Sequence, residues 1–320
     1  FSPLNLPGTL EVDVYDVIVN VGEVAPFSFK SFLVRRKDGN AQVAPKICCD
    51  NLSIKNDKLV VDFVDGKVNI TDKSNGRKIC DCIAVEETAD IEEIVKVADE
   101  SGCKFMVGQI CRFTPSFEKA KEIVESGTIG ELYFVESEYA HDYMKLCDNW
   151  RADPNRHGVI GGGCHAVDLL RWLAGDPKEG FAYGTHKLLP MVTYDDATIA
   201  IMKFDENLAG KVFVSTGCKR DYTMRTVIYG TKGTIICDNT SPTMTLFTVD
   251  EEGVTKEAQT IEVEVNNHNA LKEFAVLADA IVNDKPVLTD AREGAKTVEV
   301  CLSIVEAATT GKIVEPNYNF

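Results

Sequence analysis

Apolar and polar residues alternate with a period of two through the first quarter of the chain. Leu10, Val12 and Val14 alternate, as do Val17, Val19 and Val21, and Phe27, Phe29 and Phe32 to Val34 follow. Such a period predicts half-buried strands. Leu52 and Ile54, then Leu59, Val61 and Phe63, lead into Asp65-Gly66, and Val68 and Ile70 resume the alternation. An Asp-Gly between two alternating runs predicts a two-residue hairpin turn, because both central positions need positive φ. Asp38-Gly39-Asn40 and Asn75-Gly76 mark further turns. Nothing with a helical period interrupts residues 1–80.

From about residue 85 the period lengthens. Ile91, Ile94, Val95 and Ala98 form a helical stripe, with Asp90 and Glu93 as a capping box and Gly102 as the stop. Phe105-Met106-Val107 reads as a buried strand. Thr114-Pro115 opens a second helix, with Phe117, Ala120, Ile123 and Val124 on one face and Gly127 beyond it. Leu132 to Tyr139 is a strand, and a helix follows Gly163 as far as Ala174. Strands Ile199–Phe204 and Leu208–Val214 flank Asp205-Glu206-Asn207. Thr226–Tyr229 and Thr234–Cys237 flank Gly230-Thr231-Lys232-Gly233, and Met244–Val249 and Ile261–Val265 complete a sheet. Two helices close the chain, one with Leu271, Phe274, Leu277 and Ile281, the other with Ala295, Val298, Leu302 and Val305 after Asp290. The fold class is therefore α+β: an all-β N-terminal segment, then an α/β domain with an open, mainly antiparallel sheet and flanking helices.

Composition narrows the partners. The chain has 320 residues and 44% hydrophobic content, enough for two cored domains. A net charge of −16 opposes binding to nucleic acid or an anionic membrane, since both are polyanions. No apolar run reaches 18 residues, so no membrane span is expected, and no signal peptide is visible. The 11 cysteines are scattered without a C-x-x-C pair, which predicts neither a metal site nor a disulfide framework and fits a cytoplasmic setting. Cys103, Cys111, Cys237 and Cys301 lie among apolar residues and read as small buried hydrophobes.

The densest chemistry lies in Gly161-Gly162-Gly163-Cys164-His165-Ala166-Val167-Asp168, continuing to Leu173. A glycine cluster lets backbone approach a ligand closely, and it runs into an apolar helix. His165 and Asp168 are three residues apart and share a helix face, so the carboxylate can orient the imidazole. The pair reads either as a proton-transfer device or as two buried groups that satisfy each other. Arg112, at the start of a helix, can bind an anion or pair with an acid. His141 follows the strand ending at Tyr139, and Trp150-Arg151 precedes the glycine run; Trp150 can stack on a sugar or anchor the core. His157, His186 and His268 belong to no constellation and are expected at the surface.

Five motifs in order resemble the Gfo/Idh/MocA family, named for glucose-fructose oxidoreductase and inositol dehydrogenase. They are Val107-Gly108-Gln109-Ile110-Cys111-Arg112-Phe113-Thr114-Pro115, Gly127-Thr128-Ile129-Gly130-Glu131-Leu132, Trp150-Arg151, the Gly161–Leu173 run, and Gly230-Thr231-Lys232-Gly233-Thr234-Ile235. The resemblance covers residues 85–320. It implies an NAD- or NADP-dependent oxidoreductase acting on a sugar, cyclitol or related polyol. It also implies a homo-oligomer formed through the C-terminal sheet. His165 falls at the family's acid/base and Asp168 at the matching aspartate. Arg112, His141, Trp150 and Arg151 are then expected to bind substrate. Residues 112–320 would be the substrate and oligomerisation domain, and 83–111 a helix-plus-strand remnant of a dinucleotide-binding domain.

The chain departs from this family toward its N-terminus. No G-x-G-x-x-G follows a strand, so cofactor-binding residues cannot be named. The family's Glu-Lys-Pro turn, with its catalytic lysine, is replaced by Ile83-Ala84-Val85-Glu86-Glu87-Thr88. In some members an aspartate precedes the histidine by four residues, where this chain has Gly161. Residues 1–82 form the separate β-rich segment. Within it, residues 7–79 resemble the N-terminal β-sandwich of family 31 glycoside hydrolases, through Gly8-Thr9-Leu10-Glu11-Val12, Pro26-Phe27-Ser28-Phe29 and Leu59–Phe63. The barrel that performs glycosidase chemistry is absent. A non-catalytic carbohydrate-binding or oligomerisation module is therefore the alternative to an active dehydrogenase.

Overall fold

The computed structural model describes residues 48–50, 53–55, 59–64, 67–76, 78–79, 91–147, 150–153 and 156–320. They fall into two units, one within 5–89 and one within 90–320. In the first, β1 (Cys48–Asp50), β2 (Ser53–Lys55), β3 (Leu59–Val64), β4 (Lys67–Asp72) and β5 (Lys78–Ile79) form an antiparallel meander in chain order. Val64 stands opposite Lys67, so β3 and β4 are joined by two residues, the spacing the Asp-Gly pair requires. Gly76 has φ 68°, a turn conformation that suits glycine. The strands expected before residue 48, the glycosidase-like sandwich as a whole, and the departure at 83–88 lie outside the described residues.

The second unit opens with α1 (Ile91–Ser101), which ends at Gly102 with φ 63°. Its Val95 is buried against Ala291 and Ala295. The segment after it differs from expectation. Residues 102–109 form no strand, and Phe105 is exposed. Val107 N–H donates instead to the Thr289 carbonyl, at 2.7 Å. An apolar triplet reads as a strand only where a neighbouring strand completes its ladder, and none is present among the described residues. Residues 91–109 are therefore a helix followed by a loop, not a helix and a strand. A tight turn, Ile110–Phe113, leads into α2 (Pro115–Glu125), whose Phe117, Ala120 and Ile123 are buried as the stripe predicts.

The strands β6 (Leu132–Ala140), β7 (Glu179–Thr185), β8 (Ala197–Lys203), β9 (Ala209–Ser215), β10 (Thr223–Gly230), β11 (Gly233–Asp238), β12 (Thr243–Thr248) and β13 (Gln259–Glu262) make one open sheet. Its order is β13-β12-β11-β10-β6-β9-β8-β7, and every pairing is antiparallel except β6 with β9. The hairpins expected at 205–207 and 230–233 both form. α2, α3 (Cys164–Ala174) and α5 (Ala291–Thr310) cover one face. Leu169, Leu170, Met202, Met224, Ile228, Ile235 and Ile304 are fully buried there. Along β8, Thr198, Ala200 and Met202 point inward while Ile199, Ile201 and Lys203 point out, a period of two.

The closing helices turn different faces inward from those expected. α4 (Ala270–Val282) leaves Leu271, Phe274 and Ile281 exposed. α5 buries Thr297, Val300, Cys301 and Ile304 and exposes Val298 and Leu302, because it packs against β7 and α3. Of the four cysteines expected inside, Cys111, Cys237 and Cys301 are buried and Cys103 is exposed. Among the described residues no helix is long and apolar enough to cross a membrane.

Candidate active site

The glycine run does not simply begin a helix. Residues Val159–Gly163 form one wide π-helical turn that feeds α3. Such turns shift the helix axis and are frequent at functional sites. Two glycines are required there. A Cβ on Gly162 would lie 2.5 Å from Tyr143 Oη and 2.8 Å from the Tyr139 ring. A Cβ on Gly163 would lie 2.5 Å from Val214 of β9. The missing side chains therefore let α3 settle on the sheet and let two phenols reach its start. Arg156 donates to the Gly161 carbonyl and lies across Gly161.

Above this turn stands a cluster of phenols and imidazoles. Tyr139, at the end of β6, is 2.8 Å from the Tyr143 hydroxyl and 3.1 Å from His141 Nδ1. Tyr222, just before β10, places its ring 5.6 Å from Tyr139 and 4.6 Å from His141. Its hydroxyl is 3.2 Å from His268 Nε2. His165, on the first turn of α3, lies 6.1 Å from Tyr139 and 6.4 Å from His268, ring centre to ring centre. Residues from four separate segments thus converge. His268 and Tyr222 were not legible as site residues, since neither sits in a motif and loops alone bring them in.

Burial sets the charge of this cluster. It pushes His165 down to about 4; His268 acts in the same direction and Asp168 partly offsets both. His141 is lowered by burial and then by Arg151, and His268 by burial. The phenols of Tyr139 and Tyr222 are raised by burial and remain protonated. The imidazoles are therefore neutral at pH 7, and a neutral imidazole can accept a proton. His165 Nδ1 is buried without a hydrogen-bond partner.

A consequence for stability follows. An unfolded histidine titrates near about 6.5, and folded His165 at about 4. Between these values the unfolded chain holds the extra proton, so stability falls as pH falls. The penalty is absent above the unfolded value and complete below the folded one. His165 alone accounts for at most about 3 kcal/mol of it. Urea unfolding at pH 7 and pH 4.5 should show this loss, and His165→Gln should reduce it.

The expected His165–Asp168 pairing does not form. Asp168 is fully buried and accepts two hydrogen bonds from Arg112, Nε to Oδ2 at 2.9 Å and Nη2 to Oδ1 at 2.6 Å. Thr297 donates a third, at 3.2 Å. Arg112 also donates to Glu293 at 2.8 Å, and Arg171 joins through Thr297 and Asp176. A forked guanidinium matches both carboxylate oxygens, which a neighbouring imidazole cannot do. Arg112 and Asp168 thus tie the turn before α2 to α3 and α5, and Arg112 spends its charge inside the protein.

The other expected residues divide. His141 is in the cluster, and Arg151 reaches it, its guanidinium 5.6 Å from the Tyr143 ring centre. Trp150 belongs to the short turn Trp150–Ala152; its side chain lies outside what is described. His157 is buried rather than superficial: Val159 N–H donates to its Nδ1 at 3.1 Å, so it braces the π turn. His186 lies apart and contacts the Leu189 carbonyl.

Residues 117–236 match the family described as the GFO/IDH/MocA C-terminal domain. The chain is 25% identical over 176 residues to the myo-inositol 2-dehydrogenase of Thermotoga maritima, covering 52% of this chain and 50% of the relative. It is 31% identical over 81 residues to the NADP-dependent D-xylose 1-dehydrogenase of Haloarcula marismortui, 24% of this chain and 21% of the relative. The chain spans about half the length, or less, of these curated relatives. Among solved structures, scyllo-inositol dehydrogenase from Lactobacillus casei with NAD(H) and scyllo-inositol superposes with a TM-score of 0.58 at 23% identity, covering 71% of this chain and 70% of that one. That likeness shows the fold.

Proposed function

We propose that this chain carries the substrate half of an NAD- or NADP-dependent dehydrogenase for a sugar, cyclitol or related polyol, with His165 as acid/base. The observation that carries the reading is His165 itself. A neutral imidazole stands at the glycine turn of a GFO/IDH/MocA C-terminal domain, ringed by phenol and imidazole groups that hydrogen-bond hydroxyls. Oxidising a secondary alcohol requires removal of the hydroxyl proton, and His165 is the base available for it. His141 and Arg151 line the same cluster and orient the polyol. A bound nicotinamide supplies the hydride chemistry.

The described residues do not themselves fit a dinucleotide. Their one parallel strand pair, β6 with β9, is joined through α3 and two further strands rather than by a single crossover helix. The sequence has no G-x-G-x-x-G. This favours the second reading, a carbohydrate-binding or oligomerising module without turnover. Titration with NADH, NADPH and a panel of polyols, followed by intrinsic fluorescence and thermal shift, separates the two. Response to a dinucleotide and to a polyol supports the dehydrogenase. Response to polyol alone supports the module, and response to neither overturns both.

We also assign a homo-oligomer to the outer sheet face. Tyr183, Ile199 and Ile201 are exposed there, next to half-buried Phe181 and Phe213. An apolar patch of this kind marks an association surface. Sedimentation should give a dimer or larger species, and Ile201→Glu should shift it toward monomer. A monomeric wild-type chain would remove the assignment.

A further inference from the structure

His268 and Tyr222 have no assigned part in the chemistry above. We propose that His268 is the second proton carrier of the site, exchanging with solvent the proton that His165 takes from or returns to the substrate hydroxyl, with Tyr222 holding it in position. The inference rests on the dehydrogenase reading for its substrate, but the imidazole pair itself is independent of it.

The geometry supplies three reasons. First, His268 is held rather than loose. Its neighbour Asn267 accepts from Thr114 Oγ1 at 2.9 Å and from Asn239 Nδ2 at 2.6 Å, and the next residue, Asn269, caps α4. Tyr222 Oη, 3.2 Å from Nε2, fixes the ring from the other side. Second, His165 and His268 are 6.4 Å apart between ring centres, a span that one oxygen of substrate or water can bridge. Third, the two differ in access to water: His165 is half-buried with one nitrogen sealed off, whereas His268, its ring only partly shielded, keeps an exposed side.

A proton left on His165 would be a cation in a poorly hydrated place, which is costly. Around it stand Tyr139 and His141 from β6 and its following turn, Tyr222 before β10, and Cys164 and Asp168 on α3. Asp168 is the one carboxylate of this set, and Arg112 neutralises it. The charge therefore leaves most readily toward His268. The proton leg balances: the alcohol O–H breaks, an N–H forms on His165, and His165 becomes neutral again as His268 passes a proton to water. In the dehydrogenase reading a nicotinamide would accept the C–H electron pair as hydride; the residues named here carry only the proton.

Ring-resolved NMR titration of the full chain tests this without a cofactor. In the wild type, His165 and His268 should titrate as a coupled pair. His268→Gln should raise the His165 titration, and Tyr222→Phe should shift His268 while leaving His157 unmoved. In a turnover assay His268→Gln should lower kcat, displace its pH profile, and be rescued by added imidazole. Should His268→Gln fail to fold, Tyr222→Phe carries the test, since a shifted His268 should in turn move the His165 titration. An unchanged His165 titration in the variants overturns the relay even if the chain oxidises polyols. Coupled titration without any turnover supports the pair and counts against the dehydrogenase reading.

Discussion

Replacing Asp168 with alanine should cost about 3–5 kcal/mol of folding stability, a large part of the roughly 5–15 kcal/mol a domain has. The carboxylate is paired to Arg112 with side chains 1% and 3% exposed. Its removal leaves a guanidinium buried beside Trp172 with Glu293 as its remaining acid. The reverse variant, Arg112→Met, leaves a buried carboxylate with Thr297 as donor and should be similarly damaging. Changing both together to apolar residues should cost much less than either alone, because neither charge is then stranded. Urea unfolding of the three variants measures this directly. Small, additive losses would mean that the network is solvated and that Asp168 is free for another role.

His165→Gln should behave in the opposite way, leaving the fold intact and lowering polyol turnover by about 10²–10⁴. Glutamine keeps hydrogen-bonding capacity but cannot take a proton. The same change removes a group held near about 4 by burial, so the variant should resist mild acid better than the wild type. The two measurements together separate a proton-transfer role from a packing role. Unchanged turnover would place the base elsewhere in the cluster, and unchanged acid sensitivity would place the buried histidine charge elsewhere.

These two residues also show how far the sequence carries. Local patterns foretell local structure: Gly102 and Gly127, placed as helix stops by the sequence, both take positive φ where helices end. Asp290 accepts from Glu293 N–H as the N-cap of α5, and the Asp205 and Gly230 turns join paired strands. The spacing of His165 and Asp168 is equally local, yet it misleads. Arg112, 56 residues earlier, offers the carboxylate a better fit than an imidazole three residues away. Phe105-Met106-Val107 fails for a related reason, since a strand depends on partners its own sequence does not display. α4 carries a proper apolar stripe, but which side of a helix is covered depends on what packs there. His268 and Tyr222 join the site through two loops 46 residues apart, and no spacing rule links them. His165 itself was legible because a glycine run and a helix start are both local features.

The claim that the His165 cluster is a polyol site is tested most directly by following the five imidazoles by NMR while myo-inositol is added. The account predicts saturable shifts of His165, His141 and His268, with His157 and His186 unmoved. Silence from those three at millimolar polyol, or a response confined to His186, would contradict it.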